Sequence, residues 1–382
     1  MTPSALFVTT VPITLEAFLV PFAEHFRREG WRVDALANGA ASDPHIADAF
    51  DDRFDVAWSR SPLDPGNLVG TPSKVRDIVR AGGYDVVHVH TPIAAFVTRY
   101  ALRHDRGGPH PSLIYTAHGF HFYEGQSAAP NTAYRRMERI AAPWTDYLVT
   151  INEEDFDAAK ELGGIDPERV RYIPGIGVDT VAFAPSEDPA ARERLREGLD
   201  VGPSDFMLTM VAEFAPVKRH AHLLEAFAAA NAPRVVLVLV GQGPLESSLR
   251  DKASELGIAD RMRWAGYRRD IPAVLAASDA LALVSEREGL PRSVLEGMAT
   301  GLPVIGTRTR GIADAVGPDA GWIVDKNDVA ALAAAIDQAS SDAAELARRG
   351  AAARERAISE FSLSHVIDAY GELYCEALAS SV

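Results

Sequence analysis

The sequence predicts an α/β protein built from two doubly wound parallel-sheet domains. Three observations predict it. Strand and helix signals alternate from one end of the chain to the other. Several strand signals are short continuous apolar runs, as expected where a parallel sheet is covered on both faces. One turn-rich segment, Pro174-Gly-Ile-Gly-Val-Asp179 through Pro185, interrupts the alternation, and the pattern restarts after it. A chain of 382 residues is also too long for a single ordinary core, at about 100–200 residues per domain.

In chain order, residues 5–9 read as a strand and residues 15–29 as an amphipathic helix stopped by Gly30. Residues 32–37, 86–89, 113–116 and 147–151 read as further strands with helical segments between them. After the link, residues 206–211 read as a strand, 220–230 as a helix and 234–240 as a buried strand. Residues 262–264, 280–284, 303–305 and 322–324 read as the remaining strands, and 363–379 as one long helix. The expected domains are therefore residues 1–180, joined by the terminal helix 363–382, and residues 187–362. Two doubly wound halves imply a cleft between the carboxyl ends of two sheets, where ligands bind in such folds.

Composition narrows the function. Hydrophobic residues make up 47% and charged residues 24%, the balance of a soluble globular protein. No run of about 18 apolar residues suggests a membrane span, and the first ten residues lack the basic start of a secretory signal. The one cysteine, Cys375, excludes an internal disulfide and fits a reducing, cytoplasmic compartment. The net charge of −15 argues against general nucleic-acid binding.

The most informative stretch is Glu288-Gly289-Leu290-Pro291, followed eight positions after Glu288 by Glu296. It follows an apolar strand and opens a helix over 291–300, with Pro just inside the start and Gly301 just past the end. One carboxylate then lies in the strand-end loop and another on the helix. Between them are backbone N–H groups that attract phosphate. Carboxylates accept hydrogen bonds from vicinal diols, so the arrangement suits a ligand with phosphate at its centre and sugars on both sides, a nucleotide-sugar. The plainer alternative is an acidic loop and a solvated helix glutamate. Gly289, which permits close backbone approach, favours the first.

Lys218 stands in another strand-to-helix loop, Ala212-Glu213-Phe214-Ala215-Pro216-Val217-Lys218, at the same sheet edge. An ammonium there can neutralise charge on a departing diphosphate; otherwise it is a surface lysine at a helix start, where the helix dipole disfavours a cation. Gly241-Gln-Gly243-Pro resembles the start of a dinucleotide fingerprint but lacks its third glycine, so it reads as a tight loop floor near a nucleotide. Gly266-Tyr267 ends another strand, where Tyr267 either flanks a base or is a half-buried strand-end aromatic.

In the first half, Tyr115-Thr-Ala-His118-Gly-Phe-His-Phe-Tyr123 is the densest candidate. His118 can hydrogen-bond a sugar or move a proton near neutral pH. His88 and His90 share one strand face; with no third ligand of obvious spacing, the expectation is no metal. His88 reads as a structural histidine. Arg99, Arg103 and Arg106 recur on one helix and Arg135, Arg136 and Arg139 on another. Together they could form a basic face for an anionic membrane or a lipid pyrophosphate, or be ordinary solvated faces.

With Lys218, the Glu288/Glu296 pair and His118-Gly119 on two Rossmann-like halves, the chain resembles the retaining glycosyltransferases of the GT-B fold, family 4. The run from Ser285 to Ile305 carries the resemblance most specifically; Gly177-Val178-Asp179 before Phe183 is similar to the family's interdomain segment. The stretch from Thr116 to Tyr123 is similar to the bacterial branch that builds capsular, exopolysaccharide and lipid-linked saccharides. The resemblance implies that Lys218 contacts the donor diphosphate, Glu288 the transferred sugar and Glu296 the ribose. Gly289 and Leu290 would then offer amides to phosphate or sugar, with Gly241, Gly243, Gly266 and Tyr267 lining the nucleotide side. It implies that His118 lies near the anomeric centre and that the terminal helix returns to the first domain. The candidates on the acceptor side are Thr14, His90 and Tyr123.

Two departures stand out. Ala212-Glu213 replaces the family's usual Gly-Arg, leaving the diphosphate short of one cation unless Arg219 or Arg292 supplies it, and Thr10-Val-Pro-Ile-Thr14 replaces its Gly-Gly loop. The expected activity is transfer from a UDP-sugar to an acceptor hydroxyl with retained configuration and no metal cofactor, the domains closing over the donor. The acceptor would be a lipid-linked saccharide or a small aglycone. A UDP-sugar epimerase of the same fold and a two-lobed sugar receptor are the competing readings.

Overall fold

The computed structural model describes residues 2–59, 64–105, 110–123 and 125–380. Thirteen strands among them form two sheets in which every pairing is parallel. The chain divides into two units, Met1–Ile176 with Val366–Val382, and Gly177–His365.

The first unit contains β1 (Ser4–Val8), β2 (Arg32–Ala37), β3 (Arg53–Asp55), β4 (Val86–Val89), β5 (Ser112–Ala117), β6 (Tyr147–Thr150) and β7 (Val170–Tyr172). They lie in the order β3-β2-β1-β4-β5-β6-β7. The order reverses between β1 and β4, which creates a topological switch point at their carboxyl ends. β1, β4, β5 and β6 are buried along their whole length, as sheets covered on both faces require. The two outermost strands, β3 and β7, were not foreseen. Each has three residues, one of them exposed, too few to carry a period.

The helical segment after β1 is also more irregular than its sequence suggests. A short turn, Pro12–Thr14, leads into a π-helical turn, Leu15–Leu19, and then the helix Val20–Arg28. Pro21 explains the break, because it lacks an N–H and its ring crowds the carbonyl one turn earlier.

The second unit contains β8 (Phe206–Val211), β9 (Val235–Val240), β10 (Met262–Gly266), β11 (Ala280–Leu283), β12 (Val304–Thr307) and β13 (Gly321–Val324), in the order β10-β9-β8-β11-β12-β13. Its switch point lies between β8 and β11. β9, with the sequence Val-Val-Leu-Val-Leu-Val, is buried at every position. The helix Arg292–Ala299 lies close against β11: a Cβ on Gly297 would meet Leu281 Cδ2 at 2.8 Å.

The C-terminal helix, Leu363–Ser380, leaves the second unit in its first turn and packs on the first. Its tyrosines anchor it through His88. Tyr374 Oη lies 2.6 Å from His88 Nδ1, Thr116 Oγ1 lies 2.8 Å from His88 Nε2, and Tyr370 Oη lies 3.0 Å from Thr116 Oγ1. Both ring nitrogens of His88 are thus occupied by hydroxyls. Burial drives its pKa down to about 3.

The proposed basic face requires correction. Arg99 is 1% exposed and donates from Nη2 to Glu138 Oε2 at 2.8 Å, with its guanidinium over the Tyr115 ring. It ties the helix Pro92–Leu102 to the helix Ala128–Ala141 inside the core and cannot meet a membrane. Arg103 is half-buried, folded over the Tyr100 ring, and Arg106 lies outside the described residues. Arg135, Arg136 and Arg139 are exposed, Arg135 over the Phe122 ring. Among the described residues no helix is long and apolar enough to cross a membrane.

Two measurements follow from these buried contacts. Glu138→Ala strands the Arg99 charge in the core and should cost about 3–5 kcal/mol in denaturant unfolding; a loss below about 1 kcal/mol would show the pair to be solvated. His88 binds a proton more readily unfolded than folded, so its contribution is complete above pH 6.5 and is lost progressively as the pH falls towards 3. His88→Gln keeps a hydrogen-bonding group but cannot titrate, and should flatten the fall of melting temperature between pH 7 and pH 5; an unchanged slope would place its origin elsewhere.

Candidate functional site

The second unit places its chemistry-bearing residues on the loops that leave the two strands flanking its switch point. After β8 the chain runs through residues 212–219. Here Phe214 N donates to Gln242 O at 3.0 Å and Leu245 N to Phe214 O at 3.1 Å. The loop after β9 therefore lies directly on the loop after β8, which explains its glycines. A Cβ on Gly241 would come 2.0 Å from Ala212 O, and one on Gly243 would come 2.7 Å from Phe214 N. The structural work of these two glycines is to let one loop support the other.

The supported loop ends in a tight turn, Pro216–Lys218, followed by Arg219 at φ +53°. A left-handed arginine is strained by about 1–2 kcal/mol, and it is held from three sides. Nη1 donates to Lys326 O and approaches Glu286 Oε2 at 3.4 Å, and Nη2 donates to Asn327 Oδ1 at 2.8 Å. Arg219 is thereby committed to Glu286 and the turn after β13. Lys218, one residue before it, reaches Glu288: Nζ is 2.6 Å from Oε1, with the two side chains 24% and 11% exposed. The sequence brings both residues to the same sheet edge; the structure brings them into contact.

The loop carrying Glu288 is fixed on both flanks. Glu286 N donates to Val217 O at 2.8 Å, joining it to the Lys218 loop. On the other side, Thr309 Oγ1 donates to Ser285 O at 2.8 Å and Arg310 Nε to Glu288 O at 3.1 Å. Gly311, at φ +75°, passes so close to Gly289 O that a Cβ would sit 2.1 Å from it. Leu290 is half-buried against the core of the unit. Thr309, Arg310 and Gly311 were not anticipated. They follow β12, in a loop with no ligand-like motif, and only the fold reveals what they touch.

The helix Arg292–Ala299 starts at Pro291 without a capping side chain. Glu296 lies one turn inside it, largely buried, 3.3 Å from Arg292 Nη2. Burial raises the pKa of its carboxyl and Arg292 opposes the rise. Gly266, at φ +65°, ends β10 and accepts from Gly241 N at 2.9 Å, and the Tyr267 ring beyond it is 67% exposed. Glu213, at the family arginine position, is exposed at the end of β8.

In the first unit, His118 follows β5. Its Nε2 is 3.1 Å from His90 Nδ1 and the two rings stack 5.3 Å apart, with His90 in turn 4.0 Å from His88. Burial lowers the pKa of His118 to about 4 and that of His90 in the same direction, so both rings are neutral near pH 7. The loop after His118 is fixed by Asp155, whose carboxylate accepts from Phe120 N at 2.9 Å and Asn152 Nδ2 at 2.8 Å. A pocket of about 270 Å³ opens at this unit's switch point, lined by Thr10, Thr14, Thr91, Ile93 and Tyr134 among others. Thr14 lines it; His90 and Tyr123 do not.

Comparisons with known proteins identify the family of the chain. Residues 191–356 match the family described as Glycosyl transferases group 1, and residues 15–182 match Glycosyltransferase Family 4. EpsD of Bacillus subtilis, which carries a glycosyltransferase name, is 34% identical over 380 residues, 98% of this chain and 97% of that one. The UDP-Gal:alpha-D-GlcNAc-diphosphoundecaprenol alpha-1,3-galactosyltransferase of Escherichia coli is 29% identical over 304 residues, 78% of this chain and 76% of that one. Among solved structures, Anabaena Alr3699/HepE in complex with UDP and glucose has a similar fold: TM-score 0.81 and 22% identity, covering 98% of this chain and 100% of that one. With two parallel Rossmann-like sheets of the GT-B kind and relatives that align along nearly its whole length, the chain belongs to the family 4 glycosyltransferases and is an enzyme of the hexosyltransferase type.

Proposed function

We propose that the protein moves a sugar from a UDP-sugar to an acceptor hydroxyl with retention of anomeric configuration. The observation that carries this reading is the meeting of Lys218 and Glu288 at 2.6 Å over the switch point of the second unit, with Glu296 one turn into the adjoining uncapped helix. That grouping offers a cation and the positive end of a helix to a diphosphate, and carboxylates to hydroxyls on either side. The E. coli relative named for a UDP-Gal donor and a diphosphoundecaprenol-linked acceptor, and the Anabaena complexes with UDP and UDP-glucose, support the donor class.

In this reading Glu288 holds the transferred sugar, Glu296 the ribose diol and Lys218 the diphosphate, with Gly289 and Leu290 beside the phosphate. The exposed Tyr267 ring covers the base, and the loops of Gly241, Gly243 and Gly266 shape the same edge. His118, neutral near pH 7, gives or takes a hydrogen bond from the sugar without adding charge. The transition state resembles an oxocarbenium ion. The acceptor hydroxyl attacks from the face that the diphosphate leaves, and the diphosphate takes its proton. Catalysis rests on positioning and on stabilising the leaving charge, which Lys218 and the helix amides supply without a metal ion. The first unit binds the acceptor, a lipid-linked saccharide or small aglycone, near Thr14 and the pocket at its switch point. An anionic membrane would be met by the exposed Arg135, Arg136 and Arg139.

Release of UDP from UDP-glucose or UDP-galactose should require an added acceptor alcohol. Acceptor-independent conversion of one UDP-sugar into another would instead establish an epimerase. Glu296→Ala should weaken UDP and uridine alike by about tenfold or more in titration calorimetry, through loss of the ribose hydrogen bonds. An unchanged UDP affinity would remove Glu296 from the nucleotide site.

A further inference from the structure

Lys218 and Glu288 neutralise each other in the structure. The ammonium lies 2.6 Å from the carboxylate, and their loops are joined by the Glu286 N to Val217 O hydrogen bond at 2.8 Å. A diphosphate that arrives at this pair therefore meets a cation already compensated, with a like-charged carboxylate beside it. Full use of the lysine charge requires that Glu288 be supplied with other donors. The donor itself carries them, because sugar hydroxyls can donate to a carboxylate.

The geometry points to a partner exchange built into the donor site: sugar hydroxyls take over Glu288, and Lys218 is thereby released to the diphosphate. This inference rests on the donor-site reading above and goes beyond it, since it couples the two halves of the donor. Sugar and diphosphate each make the other bind more tightly, a coupling that is reciprocal by linkage. UDP alone lacks the hydroxyls that would satisfy Glu288, so it binds against the ion pair. A complete UDP-sugar does not. After transfer the sugar departs on the acceptor, Glu288 loses its donors and recaptures Lys218, and the grip on the remaining UDP weakens. The same two side chains would thus favour the intact donor on arrival and expel the spent nucleotide afterwards.

The positions of the neighbouring cations support an exchange centred on this lysine. Arg219 is held by Glu286, Lys326 and Asn327, and Arg292 is paired with Glu296. Arg310 reaches the backbone carbonyl of Glu288, so it steadies the loop whichever partner the carboxylate takes. The supporting contacts can therefore persist while the side chains trade partners.

Titration calorimetry with UDP and with UDP-glucose, in the absence of acceptor, tests the exchange on four proteins: wild type, Glu288→Gln, Lys218→Ala and the double variant. Neutralising Glu288 without changing its shape should tighten UDP by about tenfold and narrow the gap between UDP and UDP-glucose. Lys218→Ala should weaken UDP, and in its background Glu288→Gln should no longer tighten UDP. If Glu288→Gln leaves UDP affinity unchanged or lowers it while Lys218→Ala still weakens UDP, the exchange is overturned and the diphosphate role of Lys218 stands. If Lys218→Ala leaves UDP affinity unchanged, the donor-site reading falls and the exchange with it.

Discussion

The reversal of strand order within each parallel sheet is the constraint on which the rest of the molecule depends. Parallel strands need crossover connections, and these are right-handed, so helices on either side of a reversal cover opposite faces of the sheet. The loops leaving the two central strands must then diverge, and a crevice opens at their carboxyl ends. In the second unit those strands are β8 and β11, and their loops carry Lys218 and Glu288. In the first unit they are β1 and β4, and their loops carry Thr10 and Thr91, bonded to each other at 2.5 Å. The glycines follow from the same constraint. Gly241, Gly243 and Gly311 stand where one strand-end loop must lie against the backbone of the next, closer than any side chain allows.

The protein handles its charges in two different ways. Arg99 and Glu138 are sealed from water, joined by a short hydrogen bond and backed by the Tyr115 ring, so neither can change partner without leaving the core. Lys218 and Glu288 make a contact at least as short but keep part of their surface open. The first pair fixes two helices. The second holds two groups ready at a place where ligands bind in this class of sheet. The histidines show a third arrangement: His88 and His90 are buried with ring centroids 4.0 Å apart, and His90 stacks on the half-buried His118. Desolvation keeps all three uncharged, helped at His88 and His90 by repulsion from the neighbouring rings.

Much of this was legible in the sequence, and the parts that were not have identifiable causes. Strands such as β9 announce themselves because both faces are covered and every residue is apolar. β3 and β7 did not, because three residues at a sheet edge have neither length nor alternation. Glu288 and Glu296 could be placed from their spacing around a helix start, and Lys218 from its strand-end loop. Their meeting across 70 residues depends on which strands are neighbours in the sheet, and no local pattern records that. Arg99 failed for the same reason in reverse. Arginines at helical spacing look like a solvated face, and the carboxylate that draws Arg99 inward lies 39 residues away on another helix. The glycines after β9 were read as a floor for a ligand, whereas the contact that demands them is with the backbone of residues 212–214.

The C-terminal helix has a consequence for how the chain is made. The first sheet is complete once residue 172 has emerged from the ribosome, yet the tyrosines that occupy His88 and Thr116 lie at positions 370 and 374. Throughout translation of the second unit, the earlier one must wait with a face of its sheet uncovered and His88 without its tyrosine partner. Its final consolidation is therefore a late, long-range event, slow by the standards of local folding. A transcript cut short before those tyrosines would yield a nascent domain that holds its strands but lacks the brace that locks them.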